Sequence, residues 1–115
     1  MTRHEAQETA IRQVERFCKQ RTPEEPRDEM RLEYEASLTR ITIVERRAPW
    51  NPQPGLEWSR QPIAQLRYDP QEDTWTLYWP RSTGRWHSYE GAARTSDVRP
   101  LLAMIDADPH GVFWG

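Results

Sequence analysis

Two aromatic tracts separated by a short turn-forming segment constrain this chain more than any other feature. Residues Asp73–Glu90 read Asp-Thr-Trp-Thr-Leu-Tyr-Trp-Pro-Arg-Ser-Thr-Gly-Arg-Trp-His-Ser-Tyr-Glu. Runs Trp75–Trp79 and Trp86–Tyr89 flank Pro80, Ser82 and Gly84, with β-formers on both arms and turn-formers between them. That pattern predicts a β-hairpin. Three of the six Trp and two of the four Tyr lie in it, so the hairpin anchors the core or presents the working face. A strand sends alternate residues to opposite sides, and here both parities carry rings. Trp75, Leu77 and Trp79 oppose Thr76 and Tyr78 on one arm; Trp86 and Ser88 oppose His87 and Tyr89 on the other. Only one side can be the main core. The other has to be covered by the Trp50/Trp58 segment, by the C-terminal tail, or by a partner.

The rest of the chain supplies what such a hairpin needs. Thr2 and Glu5 have the spacing of a capping box, and Ala10, Ile11, Val14, Phe17 and Cys18 fall on one helical stripe. The spacing predicts a helix over 3–20. Cys18 on that stripe reads as a small core residue rather than a nucleophile. Thr22-Pro-Glu-Glu-Pro26 stops the helix and is able to cap a single turn of its own. Met30, Leu32 and Tyr34 alternate with Arg31, Glu33 and Glu35, and after a turn at Ala36–Thr39, Ile41 and Ile43 alternate with Thr42 and Val44. Two antiparallel strands follow from this. Residues 48–62 hold Pro49, Pro52, Pro54 and Pro62 around Trp50 and Trp58, which predicts an ordered loop pinned by its rings. Ile63–Tyr68 is a third strand, and the hairpin gives the fourth and fifth. Val98, Leu101, Leu102 and Ile105 repeat at helical spacing, predicting a helix over 97–107 with Ser96 as its cap. Residues 108–115 form an apolar tail. The expected fold is α+β, a single domain over 1–115. Its sheet, within 29–90, is a five-stranded antiparallel meander with an N-terminal and a C-terminal helix packed on it.

Composition narrows the function classes. At 115 residues with 30% charged positions, a net charge of −2 and a pI near 5.9, the chain is not a globally basic nucleic-acid binder. Its positive charge is almost all arginine, with Lys19 the sole lysine. One cysteine excludes an intramolecular disulfide and a thiolate metal cluster. No apolar run approaches a membrane span and the first residues do not read as a signal peptide. The expected location is the cytoplasm, with no membrane partner.

Several segments taken together resemble a known family. They are Glu45-Arg-Arg-Ala-Pro-Trp50, Pro62-Ile-Ala-Gln-Leu-Arg-Tyr68, Trp75-Thr-Leu-Tyr-Trp79, Arg85-Trp-His87 and Asp108-Pro-His-Gly-Val-Phe-Trp-Gly115. In this order, across roughly residues 10–115, they are similar to a family of small bacterial proteins catalogued as domain of unknown function 3024. The turn Pro80-Arg-Ser-Thr departs from the polar Asp-Arg-Asn-like segment expected before its glycine. The resemblance implies a small intracellular bacterial protein and carries no activity to transfer.

Four constellations are able to carry chemistry. The first is an aromatic and arginine surface drawn from Trp50, Trp58, Arg46, Arg47, Arg67, Tyr78, Arg81, Arg85, His87, Tyr89 and Trp114. Rings and guanidinium planes of this kind anchor protein partners, and they also stack bases while holding phosphates. The plainer alternative is that the rings are core and the arginines solubilise. The second is Asp106, Asp108 and His110 with His87, whose carboxylates and imidazoles have metal-ligand chemistry. Asp at a helix end and Asp-Pro are also ordinary turn formers. The third is His87 as a general acid or base, set against a packed ring in a strand. No nucleophile motif or Gly-rich phosphate loop accompanies it. The fourth is the tail, which docks on its own domain or inserts into a partner. The composite expectation is a non-enzymatic protein-binding or adaptor domain without a cofactor, a homodimer being admitted. Single-stranded nucleic-acid binding by the same face is the alternative, and a metal-assisted hydrolase the third reading.

Overall fold

In a computed structural model the described residues are 2–22, 30–49 and 57–114, the side chain of Arg3 excepted. Helix α1 runs Arg3–Arg21, strands β1 to β5 run Met30–Ala36, Arg40–Arg47, Gln61–Asp69, Thr74–Pro80 and Trp86–Ser88, and helix α2 runs Arg99–Ala107. The strands form one sheet in chain order, β1-β2-β3-β4-β5, with every neighbouring pair antiparallel. The fold is α+β, as the alternation and the short connections require.

Local chemistry explains the element ends. Thr2 Oγ1 accepts from Glu5 N (3.2 Å) while Thr2 N donates to Glu5 (3.3 Å), completing the capping box of α1. At its other end Thr22 hydroxyl donates to Cys18 O (2.8 Å) and accepts from Leu32 N (3.0 Å), so one side chain closes the helix and satisfies an outward amide of edge strand β1. The possible turn in residues 23–26 lies outside the described residues. Helix α2 differs from expectation. Its N-cap position is Val98, without a side-chain cap, and not Ser96. Thr95 Oγ1 accepts from Asp97 N (3.1 Å) and Asp97 carboxylate accepts from Arg99 N (2.9 Å), so two short turns lead the chain in and the helix starts later. Pro62, expected in the loop, belongs to β3. It sits opposite Val44, where the β2–β3 register shifts, a bulge where a residue without an amide hydrogen is tolerated.

Strand parity then decides which face is buried. Cross-strand partners share a face, and Tyr34–Ile43–Ala64, Ile41–Leu66–Leu77 and Tyr68–Trp75 are such rows. They form one core with Ala6, Ala10, Val14, Phe17 and Cys18 of α1 and with Leu101, Leu102 and Ile105 of α2. Both helices therefore cover the same side. Trp75, at 1% exposure, is the largest fully buried side chain, and burial of this kind makes a ring-to-alanine change cost about 3–5 kcal/mol. Cys18 is sealed in this core; burial, then the charges of Glu33 and Glu15, push its thiol up to about 12, so it is not a nucleophile. Among the described residues no helix is long and apolar enough to cross a membrane.

Candidate functional site: the uncovered face of the sheet

The second sheet face is built from the other parity. Arg31, Glu33 and Glu35 of β1 lie beside Arg46, Val44 and Thr42 of β2, and Arg40 faces Arg67 of β3. Arg67 in turn pairs with Thr76, Gln65 with Tyr78, Tyr78 with Ser88, and Pro80 with Trp86. No described helix lies on this side, and it is uncovered in that sense alone: Val44, Thr42 and Gln65 are buried within it, and Trp58 and Arg60 of the segment before β3 reach over Arg31 and Glu35.

Charge is unevenly matched across this face. On the β1 side of this face Arg31, Arg46 and Arg60 each lie against an acid, Glu33 serving two of them. Glu33 reaches Arg46 (3.4 Å) and Arg31 (3.9 Å). Arg60 crosses from the start of β3 to Glu35, gripping it with two bonds (2.7 and 2.5 Å). That contact, ahead of the burial that opposes it, lowers the Glu35 pKa. The Arg31 guanidinium lies 4.1 Å from the Trp58 ring centroid. Arg31, Glu33, Arg46, Glu57 and Trp58 together line a hollow of about 410 Å³. Opposite charges in water hold one another weakly, and here they leave little net charge.

Where Arg40, the first residue of β2, meets β3, arginine is not matched. Arg40 and Arg67 stand directly opposite, and among the described residues no carboxylate pairs with either. Asp69, two positions along the same face from Arg67, accepts instead from Gln71 N in the turn (2.9 Å). The Arg67 head is nonetheless fixed. Its Nε donates to Gln65 Oε1 (2.7 Å), Gln65 Nε2 donates to Thr42 Oγ1 (2.9 Å), and Gln65 and Thr42 are both buried. The guanidinium lies 3.9 Å from the centroid of Tyr78. Burial, then the neighbouring charge of Arg40, lowers the Arg67 pKa from its usual high value. Arginine stays charged at neutral pH regardless.

The pleat divides the residues that the sequence gathered into one surface. Arg46, Arg67 and Tyr78 are on the uncovered face, and Trp58 reaches it through its stack on Arg31. Tyr89 is buried, packed on Phe113 (5.2 Å). His87 pairs with Trp79 on the helix-covered side, their rings 5.9 Å apart, and Arg81 lies 5.5 Å from the same Trp79. Arg47 is held by Glu45 (2.7 Å) at the sheet margin, and Arg85 is exposed in the β4–β5 turn. Trp114 docks on its own domain: its Nε1 donates to Ile105 O (2.8 Å) and Arg21 stacks on its ring (4.3 Å). Trp50 lies outside the described residues.

The metal-ligand candidates are likewise separated. Asp106 pairs with Arg21 (2.7 Å). Asp108 accepts from the amides of Val112 (2.8 Å), Phe113 (3.2 Å) and Trp114 (3.0 Å), and His110 lies beside Tyr89 (6.4 Å). Among the described residues no three His, Cys, Asp or Glu side chains come together to hold a metal.

Thr76 and Trp86 were not singled out as site residues by the sequence, yet parity places them on this face as it places Arg40. Once Ile41 and Ile43 are assigned to the core, Arg40 and Thr42 must face away; Ala64, Leu66 and Tyr68 do the same for Gln65 and Arg67.

Comparison with protein families matches residues 1–115 to a domain of unknown function, DUF3024. No curated protein and no solved structure matches the chain.

Proposed function

Because the chain belongs to the DUF3024 family, whose description names no activity, we propose its function from geometry: a non-enzymatic binding module that takes a protein partner on the uncovered sheet face. One observation carries the reading. A sheet covered by both helices on one side keeps arginines stacked on rings on the other, Arg67 on Tyr78 and Arg31 on Trp58. Stacked guanidinium planes are rigid and weakly hydrated, so they lose little entropy and little water on docking. Arg and aromatic residues are the types that interfaces concentrate. Leu38 is the one large hydrophobic exposed among the described residues, which argues for recognition by such planes rather than by greasy anchors.

The test is capture from a lysate of the native host by the full chain and by single variants, in the presence of nuclease. Trp86→Ala on the open face is expected to lose the captured protein, and Arg16→Ala on the outer side of α1 to keep it. Equal retention by both would place the interface elsewhere.

A second reading, single-stranded nucleic acid on the same face, is favoured by the unmatched Arg40–Arg67 pair. Phosphate contacts release counterions, so that binding should fall steeply with salt and vanish with nuclease. Docking of a protein partner should survive nuclease.

A further inference from the structure

The Arg40–Arg67 pair sets two like charges side by side with no described carboxylate against either. Like charges directly opposite in an antiparallel pair destabilise it, and a fold that keeps them without a neutralising acid is spending stability on something else. The geometry adds a second point. Arg67 is not a floppy surface side chain. The buried Thr42–Gln65 pair takes its Nε and the Tyr78 ring lies against its plane, so the guanidinium is held in one orientation. Arg40 is exposed beside it, and Thr76 extends the row from β4 with a hydroxyl that has no described hydrogen-bond partner. Two guanidinium groups and a hydroxyl therefore stand at neighbouring register positions of one face, with no carboxylate paired to either arginine among the described residues.

We infer that Arg40, Arg67 and Thr76 form a site for a phosphomonoester dianion, presented by the docked partner as a phosphorylated side chain. The inference rests on the binding-module reading above. Charge selects the ligand class. Two guanidinium groups carry +2, and a phosphomonoester near neutral pH carries about −1.5 to −2. A carboxylate or a phosphodiester brings a single charge and leaves one arginine uncompensated. Guanidinium forks match phosphate oxygens two at a time, and the prearranged Arg67 head loses little freedom when it binds.

The site is tested on the full chain, labelled with nitrogen-15, by NMR titration at constant ionic strength with phenyl phosphate, dimethyl phosphate and benzoate. Phenyl phosphate should give saturable shifts centred on the amides of Arg40, Arg67 and Thr76. Dimethyl phosphate and benzoate should bind about tenfold more weakly or worse. Arg40→Gln and Arg67→Gln should each weaken phenyl phosphate by about tenfold. Arg40→Gln removes an exposed charge that repels its neighbour, so its melting temperature should stay level or rise. It keeps the test valid if Arg67→Gln disturbs the stack on Tyr78. Shifts that do not saturate, equal binding of benzoate, or indifference to Arg40→Gln would overturn the site.

The source of the phosphate is tested on the captured partner. Release of that protein by phosphatase supports the assignment. Retention after phosphatase and by Arg40→Gln, with loss by Trp86→Ala, overturns the phosphate site while the face reading stands. Binding of phenyl phosphate with capture that depends on nucleic acid overturns the phosphorylated side chain as the source.

Discussion

Asp108 holds together more of this molecule than its single side chain suggests. It ends α2 in a left-handed conformation (φ 41°), and its carboxylate accepts the amides of Val112, Phe113 and Trp114. Buried Phe113 and the docked Trp114 are positioned by those three bonds. Burial alone would raise the Asp108 pKa, but the amides of Trp114, Phe113 and Val112, helped by His110, outweigh it and the pKa is lowered. A carboxyl with a lowered folded-state pKa contributes stability above its unfolded-state value and loses it as pH falls through the folded-state value. Asp108→Ala is therefore expected to cost about 2 kcal/mol at neutral pH, roughly 8 °C in melting temperature. The gap from the unsubstituted protein should narrow below about pH 4. Thermal melts of both proteins between neutral and acidic pH check the sign and the window. The sequence marked Asp108 as a metal candidate or a turn former. The structure gives it the turn, because Asp followed by Pro109 and Gly111 (φ 65°) folds the chain back over its own carboxylate.

Elements were legible where one periodicity ruled a long stretch. The stripe of α1 and its cap, and the alternation of β1 and β2, could be read because polar and apolar residues separate cleanly. Legibility failed at the proline-rich approach to β3, where Pro62 looked like a loop residue and is tolerated by a bulge. It failed again before α2, where three consecutive polar residues, Thr95, Ser96 and Asp97, all had capping chemistry. Which face of the β4–β5 hairpin is buried could not be read locally, since rings occupy both parities. The pairing of Leu77 with Leu66 and of Trp75 with Tyr68 settles it. The turn of that hairpin makes its own prediction. Gly84 N donates to Arg81 O (2.8 Å) with φ of 85°, a conformation that a side chain opposes. Nothing lies within 4 Å of a methyl built there, so Gly84→Ala isolates the backbone cost, about 1 kcal/mol. Chemical denaturation should show a shifted midpoint with an unchanged slope.

At the scale of the whole molecule, the meander and the placement of both helices on one side produce the uncovered face and hence the candidate site. That asymmetry was legible as a choice, core or working face, and not as an answer. It depends on which parity each helix selects, and that is a tertiary fact. The same arrangement has a kinetic consequence. Each strand pairs with the one made just before it, so most of the sheet assembles through short loop closures, which is the condition for rapid folding. The longest closure in sequence is the meeting of the two helices, brought from opposite ends of the described chain, and it is expected to follow the sheet, past the barrier. Arg21 marks that meeting, with Asp106 at 2.7 Å and the Trp114 ring at 4.3 Å. Contacts formed after the rate-limiting barrier govern unfolding rather than folding. Stopped-flow chevrons of Arg21→Ala should show a steeper rise to the unfolded state in time, with the refolding limb almost unmoved. Arg21 would then act as a latch on the lifetime of the native state, fastened last and released first.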